Sequence, residues 1–181
     1  MIKENLVHRM TITVGILLLL TGGAAAQSGK PMKLTPKDYF EIYQLYAAYS
    51  NALDIGDGAG RVGTFTPDGT FSWVASKHQP ESMDILKKRT DAYEHKPHPV
   101  AGHLLTNIHI TPTPEGADGS CYALLGGGKP DAQGHYIADP AFYQDKLVKT
   151  AAGWRFKSRE VWIPVAEGVW PNEGAKKPTG N

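Results

Sequence analysis

The sequence predicts an α+β domain, and two observations carry that prediction. Between residues 36 and 54 apolar and aromatic residues recur at three- and four-residue steps, whereas after residue 100 they recur at two-residue steps. Helices therefore come first and long strands after. No strand–helix–strand alternation joins them, so a doubly wound parallel sheet is not expected.

The elements follow in order. Lys3 and Arg9 precede the apolar run Ile12–Leu20, and Ala24-Ala25-Ala26 supplies a small-residue site. This makes residues 1–26 a secretory signal peptide and the protein periplasmic or secreted; the run is shorter than the roughly 20 apolar residues a spanning helix needs. A retained anchor is the alternative. Residues 27–34 form a polar, flexible lead-in. Thr35-Pro36 opens a helix as N-cap and first helical residue. Tyr39, Ile42, Tyr43, Tyr46, Tyr49 and Leu53 give it a broad apolar face, and it ends at Gly56-Asp57-Gly58. A short second helix is expected over Ala59–Phe65, a turn at Pro67-Asp68-Gly69 and a strand over Thr70–Val74. Pro80 opens a third helix that runs to about Tyr93 and is ended by Pro97 and Pro99.

Residues 100–111 alternate as a strand, with His103, Leu105, Asn107 and His109 on one side and Leu104, Thr106, Ile108 and Ile110 on the other. A turn covers Pro112–Gly119, a strand Ser120–Leu125 and a loose loop Gly126–Gly134. Tyr143–Thr150 and Trp154–Val165 form a hairpin about Ala151-Ala152-Gly153. The domain is thus residues 35–165, and 166–181 are a Gly-, Pro- and Lys-rich tail.

Composition narrows the function. Nineteen basic residues balance 18 acidic ones, which suits neither a nucleic-acid groove nor another polyanion partner. Cys121 is the single cysteine and lies in the apolar run 121–125; buried packing fits it better than a catalytic thiol. The seven histidines lack metal-binding spacing: His95 and His98 flank Pro97, with no HExxH or His-x-His. No metal or other cofactor is expected. The triple glycine is not followed by Lys-Ser/Thr and is no phosphate loop, and no G-x-S-x-G elbow exists.

The order Ala52-Leu53-Asp54-Ile55-Gly56-Asp57, Asp68-Gly69 before Phe71, His103-Leu-Leu-Thr-Asn107, Tyr143-x-Asp145 and Gly153-Trp154-Arg155-Phe156-x-x-Arg159 resembles the SnoaL-like branch of the nuclear-transport-factor-2-like superfamily. Scytalone dehydratase, hexachlorocyclohexane dehydrochlorinase, polyketide cyclases and relatives of ketosteroid isomerase belong there. The resemblance spans residues 35–165. It implies a cone-shaped α+β barrel: a curved antiparallel sheet wrapped around about three helices, open at one end as a pocket for a small aromatic or cyclic molecule. It also implies self-association, as a dimer or trimer, and no membrane partner once the leader is gone. Asp54 matches the pocket aspartate of the dehydratase and the dehydrochlorinase, His103 their pocket histidine, and Arg159 the dehydrochlorinase's pocket arginine. Tyr49 stands where that enzyme has a lysine, a departure that points toward a hydroxyl-bearing substrate.

A His–Asp pair is a general base, since the carboxylate fixes the tautomer and steadies the imidazolium. The expected activity is a cofactor-independent lyase, a dehydratase or an aldol-type or eliminating relative. In it His103 is the base, Asp54 orients it, and Tyr49 assists the leaving group. Tyr46, Trp73, Asn107, Tyr143 and Arg159 line the substrate. Isomerisation of a ketone through Asp54, or ligand binding without turnover, are the alternatives. At each position a structural role competes: Asp54 can serve a turn, His103 can be a satisfied strand histidine, and Tyr46 and Tyr49 can be core.

Overall fold

A computed structural model describes residues 29–74, 80–92, 102–126 and 139–163. The expected signal peptide, the tail 166–181, the end of the third helix beyond residue 92 and the loop after Gly126 lie outside the described residues, as do His95, His98 and His135. Three helices, α1 (Pro36–Asp54), α2 (Gly58–Val62) and α3 (Met83–Asp91), accompany five strands: β1 (Phe65–Trp73), β2 (Gly102–Pro112), β3 (Ala117–Gly126), β4 (Asp139–Thr150) and β5 (Gly153–Trp162). The strands form one curved sheet in the order β1-β5-β4-β3-β2, and the α+β cone expected from the sequence is the fold observed.

Helix α1 begins where Thr35-Pro36 predicts. Thr35 Oγ1 accepts from the Asp38 N–H at 3.3 Å while Asp38 returns a bond to the Thr35 N–H at 2.8 Å, a reciprocal cap. The helix ends at Asp54, and Gly56 turns the chain with φ 76°, a conformation that suits glycine. Of the lead-in, the described residues from Gly29 are tied down: the Met32 N–H bonds Thr113 O at 3.0 Å, and Met32 and Leu34 pack on the core.

Four local expectations are corrected. Strand β1 runs straight through Pro67-Asp68-Gly69, which forms a register irregularity between Phe65 and Thr70 rather than a turn; Pro67, lacking an N–H, sits exposed at this bulge. Because β1 starts at Phe65, α2 stops at Val62 instead of reaching Phe65. Helix α3 starts at Met83 rather than Pro80, because Glu81 is held to Phe71 by a pair of backbone bonds. The sheet is mixed, not wholly antiparallel: β1 runs parallel to β5 at the edge, the other three pairings being antiparallel. Helix α2 delivers the chain at the Phe65/Phe156 end of that edge, where Thr64 O accepts the Phe156 N–H at 2.9 Å, so β1 has to run with β5.

A further correction concerns β2. Asn107 adopts φ 54°, and the pairing with β3 slips between Thr106 and His109. Such a bulge resets the alternation. His103 and Leu105 face inward, but beyond the bulge Ile108 and Ile110 do so, with Asn107 and His109 exposed. Asn107 therefore does not share the face of His103.

Helix α1 lies along the inner face of the sheet and is anchored by polar contacts at three heights. Near its start Asp38 accepts from Lys149 Nζ at 2.5 Å and Trp154 Nε1 at 3.0 Å. Midway, the Tyr46 hydroxyl donates to Asp145 Oδ2 at 2.5 Å. At its end Asp54 meets His103. The middle anchor is the centre of the core. Arg159 and Asp145 face each other in register across β4 and β5, paired in a fork of 2.7 and 2.8 Å, and both side chains are fully buried. The guanidinium lies 4.1 to 5.1 Å from the ring centres of Tyr46, Tyr49, Tyr143 and Phe156. Gly119 is needed beneath it, since a Cβ there would stand 2.3 Å from the Tyr46 hydroxyl.

Removing one partner of such a buried pair strands the other charge. Asp145→Asn is expected to lose on the order of 3–5 kcal/mol in urea unfolding, and Asp145→Leu with Arg159→Met is expected to recover part of that loss. Lys149, with help from Thr35 and Trp154, holds the Asp38 carboxyl well below the usual carboxylate range. A folded-state pKa below the unfolded value of about 3.9 gives stability that is present above that pH and lost as pH falls toward the folded value. Asp38→Asn should therefore cost about 1–3 kcal/mol at neutral pH and flatten the acid limb of a stability–pH curve below about pH 4.

Candidate functional site

Asp54 is the last residue of α1, and the turn that follows is satisfied without it. Asp57, not Asp54, caps α2 by accepting from the Gly60 N–H at 2.7 Å. That leaves both oxygens of Asp54 for β2: Oδ1 lies 2.5 Å from His103 Nδ1 and Oδ2 accepts the His103 backbone N–H at 3.0 Å. A carboxylate can only accept, so Nδ1 donates to it, and Nε2 is the ring nitrogen directed away from Asp54. Nε2 has no partner among the described residues. The two side chains are 20% and 21% exposed, so the pair is half-open to solvent or ligand.

Register places the other residues. Leu125 of β3 is opposite His103. Further along the same inner face come Ala123 and Ala141, and then the row Cys121, Tyr143, Val161 and Trp73, which crosses β3, β4, β5 and β1. Between His103 and that row, about 13 Å along the strand, β3 and β4 contribute small side chains and β2 contributes Leu105 opposite Ala123. Asp145 and Arg159 lie one row deeper.

The structure therefore brings Trp73 and Tyr143 onto the inner face with His103, but not Asn107, whose side chain accepts from Thr106 Oγ1 at the outer surface. Arg159 and Tyr46 lie at the floor, engaged with Asp145. Burial first, and then the Asp145 carboxylate, holds the Tyr46 hydroxyl protonated well above the ordinary phenol range. Burial likewise raises Tyr143 and pushes the Cys121 thiol up to about 12, which leaves that sulfur an inert packing group. Burial opposes the charge on Arg159, but Asp145 sustains it well above the usual range. Among the described residues no three His, Cys, Asp or Glu side chains stand close enough to hold a metal.

Tyr49 is buried, and its hydroxyl accepts from Arg61 Nη2 at 2.5 Å. Arg61, on α2, is a residue that the sequence reading missed. It is 3% exposed, lies over the rings of Tyr49 and Phe71, and donates from Nη1 to Thr90 Oγ1 at 2.9 Å. In sequence it looks like a solvated residue on a one-turn helix; the one hint is its place directly ahead of the apolar start of β1.

Residues 36–160 match the model of the SnoaL-like domain. No curated protein matches the chain. Among solved structures, a candidate scytalone dehydratase from Novosphingobium aromaticivorans is 21% identical, over 69% of this chain and 83% of that one, with a TM-score of 0.59. A candidate dehydratase of the NTF2-like family from Streptomyces avermitilis is 16% identical over 71% and 98%, with a TM-score of 0.56. An NTF2-like protein with a cystatin-like fold from Novosphingobium aromaticivorans is 20% identical over 70% and 82%, with a TM-score of 0.59. At these identities the structures speak for the fold alone. The domain match covers most of the chain, and the protein belongs to the SnoaL-like family.

Proposed function

We propose that this protein is a cofactor-independent lyase, a dehydratase or a related eliminating enzyme, acting on a small aromatic or cyclic hydroxyl compound. The observation that carries the reading is the 2.5 Å contact of His103 Nδ1 with Asp54, in a pair left half-open. His103 Nε2 takes a proton from carbon, the C–H electrons form the new double bond, and the hydroxyl on the adjacent carbon departs as water with a proton from Tyr49. Because a guanidinium only donates, the Tyr49 oxygen accepts from Arg61 and its own proton is left for the leaving group. Trp73 and Tyr143 supply apolar wall. An aldol-type cleavage uses the same base on a hydroxyl proton.

Two similar structures carry dehydratase names, which supports the class and not the substrate. Ketone isomerisation through Asp54 is less well supported, since Asp54 spends both oxygens on His103. The reading further takes the protein as exported and self-associating, with a small molecule as its partner.

The test compares wild type, His103→Ala and Asp54→Asn on a panel of aromatic alcohols, vicinal diols and cyclic halides, read by mass spectrometry without added cofactor. A product short of water, halide or formaldehyde is expected, with kcat/KM at least about a hundredfold lower in each variant. Turnover that survives in His103→Ala sinks the base assignment. Binding without turnover in wild type and variants alike makes the protein a ligand carrier.

A further inference from the structure

The buried charges of the core do not balance. Arg159 has Asp145 as its counter-ion. Arg61, 3% exposed, has no carboxylate within ion-pair reach among the described residues; its acceptors are two neutral hydroxyls, Tyr49 at 2.5 Å and Thr90 at 2.9 Å. Both guanidiniums sit over the one ring of Tyr49, 4.8 and 4.1 Å from its centre. Each guanidinium also keeps one buried N–H without an acceptor, Arg61 Nε and Arg159 Nη1. A buried cation without a counter-charge is costly, and an unmet N–H on a charged group adds to the cost. Aromatic faces offset part of it but do not neutralise it.

We infer that Arg61 is a ligand-binding residue whose missing counter-ion is an anionic group on the ligand, so the compounds this protein takes are acids, most simply aromatic carboxylates. The arrangement suits that role. Thr90 and Tyr49 fix the guanidinium from two sides, the two rings hold its plane, and a fixed guanidinium gains more from a carboxylate than a free one does. Between His103 and the buried fork the inner face carries the small side chains of Ala123, Ala141 and Cys121, with Leu105 paired opposite Ala123. The inference rests on the small-ligand part of the function proposed above and not on the chemistry at His103.

The test is calorimetric titration of the full chain with sodium benzoate and its uncharged isostere benzamide at matched ionic strength, with melting temperatures alongside. Wild type and His103→Ala are expected to bind benzoate about tenfold or more tighter than benzamide. Arg61→Met is expected to bring the ratio close to one by weakening benzoate about tenfold or more beyond any change in benzamide, and Arg61→Lys to weaken benzoate more than benzamide, since an ammonium does not reproduce the planar guanidinium. Ligand-free Arg61→Met should melt no lower than wild type, because a buried unbalanced charge has been removed. Equal affinity for the two compounds in wild type, or a benzoate preference that survives Arg61→Met, overturns the proposal. Should Arg61→Met fail to fold, benzoate affinity unchanged in Arg61→Lys overturns it. A benzoate preference kept in His103→Ala, beside a wild type without lyase activity, upholds the acid anchor and sinks only the lyase.

Discussion

The fork between Arg159 and Asp145 is the contact on which the rest of the molecule depends. Two charges with zero exposed side-chain surface must be matched atom by atom, because an error in geometry leaves a bare charge in an apolar medium. A hydrophobic pair of the same volume could be as stable, so what the ion pair contributes is registration. It fixes β4 against β5 at one pairing. Through the Tyr46 hydroxyl it also fixes where α1 crosses the sheet. The aromatic rings around the guanidinium and the bare backbone of Gly119 are consequences of that requirement.

From that fixed point the helix acts as a ruler. Asp54 lies eight residues beyond Tyr46, about 12 Å further along the axis. The distance sets the height at which its carboxylate meets β2, and the residue it meets there is His103. Asp38, eight residues the other way, is held by Lys149 and Trp154. Three acidic or phenolic groups on this helix thus tie it to β2, β4 and β5. A site built on a rigid helix pinned at three points holds its geometry better than one built on loops.

Much of this was legible in the sequence because it is local. Thr35-Pro36 and the tyrosine-rich 3.6-residue pattern give α1; the period-two runs give the strands; the glycine at 153 gives the hairpin. Asp54, His103, Tyr49 and Tyr143 are candidates through the family pattern and Trp73 as an aromatic wall, and the pairing of the first two is a geometric fact of the structure. What was missed depends on contacts distant in sequence. The parallel edge pairing of β1 is decided by where α2 delivers the chain. Pro67 and Gly69 carry turn chemistry yet sit in a bulged strand. Arg61 looks solvated until Tyr49, twelve residues earlier, and Thr90, 29 residues later, close over it.

Asn107 shows why a broken pattern can matter more than a regular one. Regular alternation through β2 would put Asn107 and His109 against the core beyond His103 and Leu105, two polar side chains where α1 needs apolar surface. One residue at φ 54° moves the register by one, so that Ile108 and Ile110 pack inward below it while His103 keeps its inward aim above. A single strand then walls the closed core at one end and carries the half-buried His103 at the other. Two of the protein's ion pairs divide along the same line: Arg159–Asp145 is sealed, and its proton-bearing groups cannot exchange with a ligand, whereas His103–Asp54 is a fifth exposed. Of these two pairs, only the one at His103 presents a side chain that a ligand can touch.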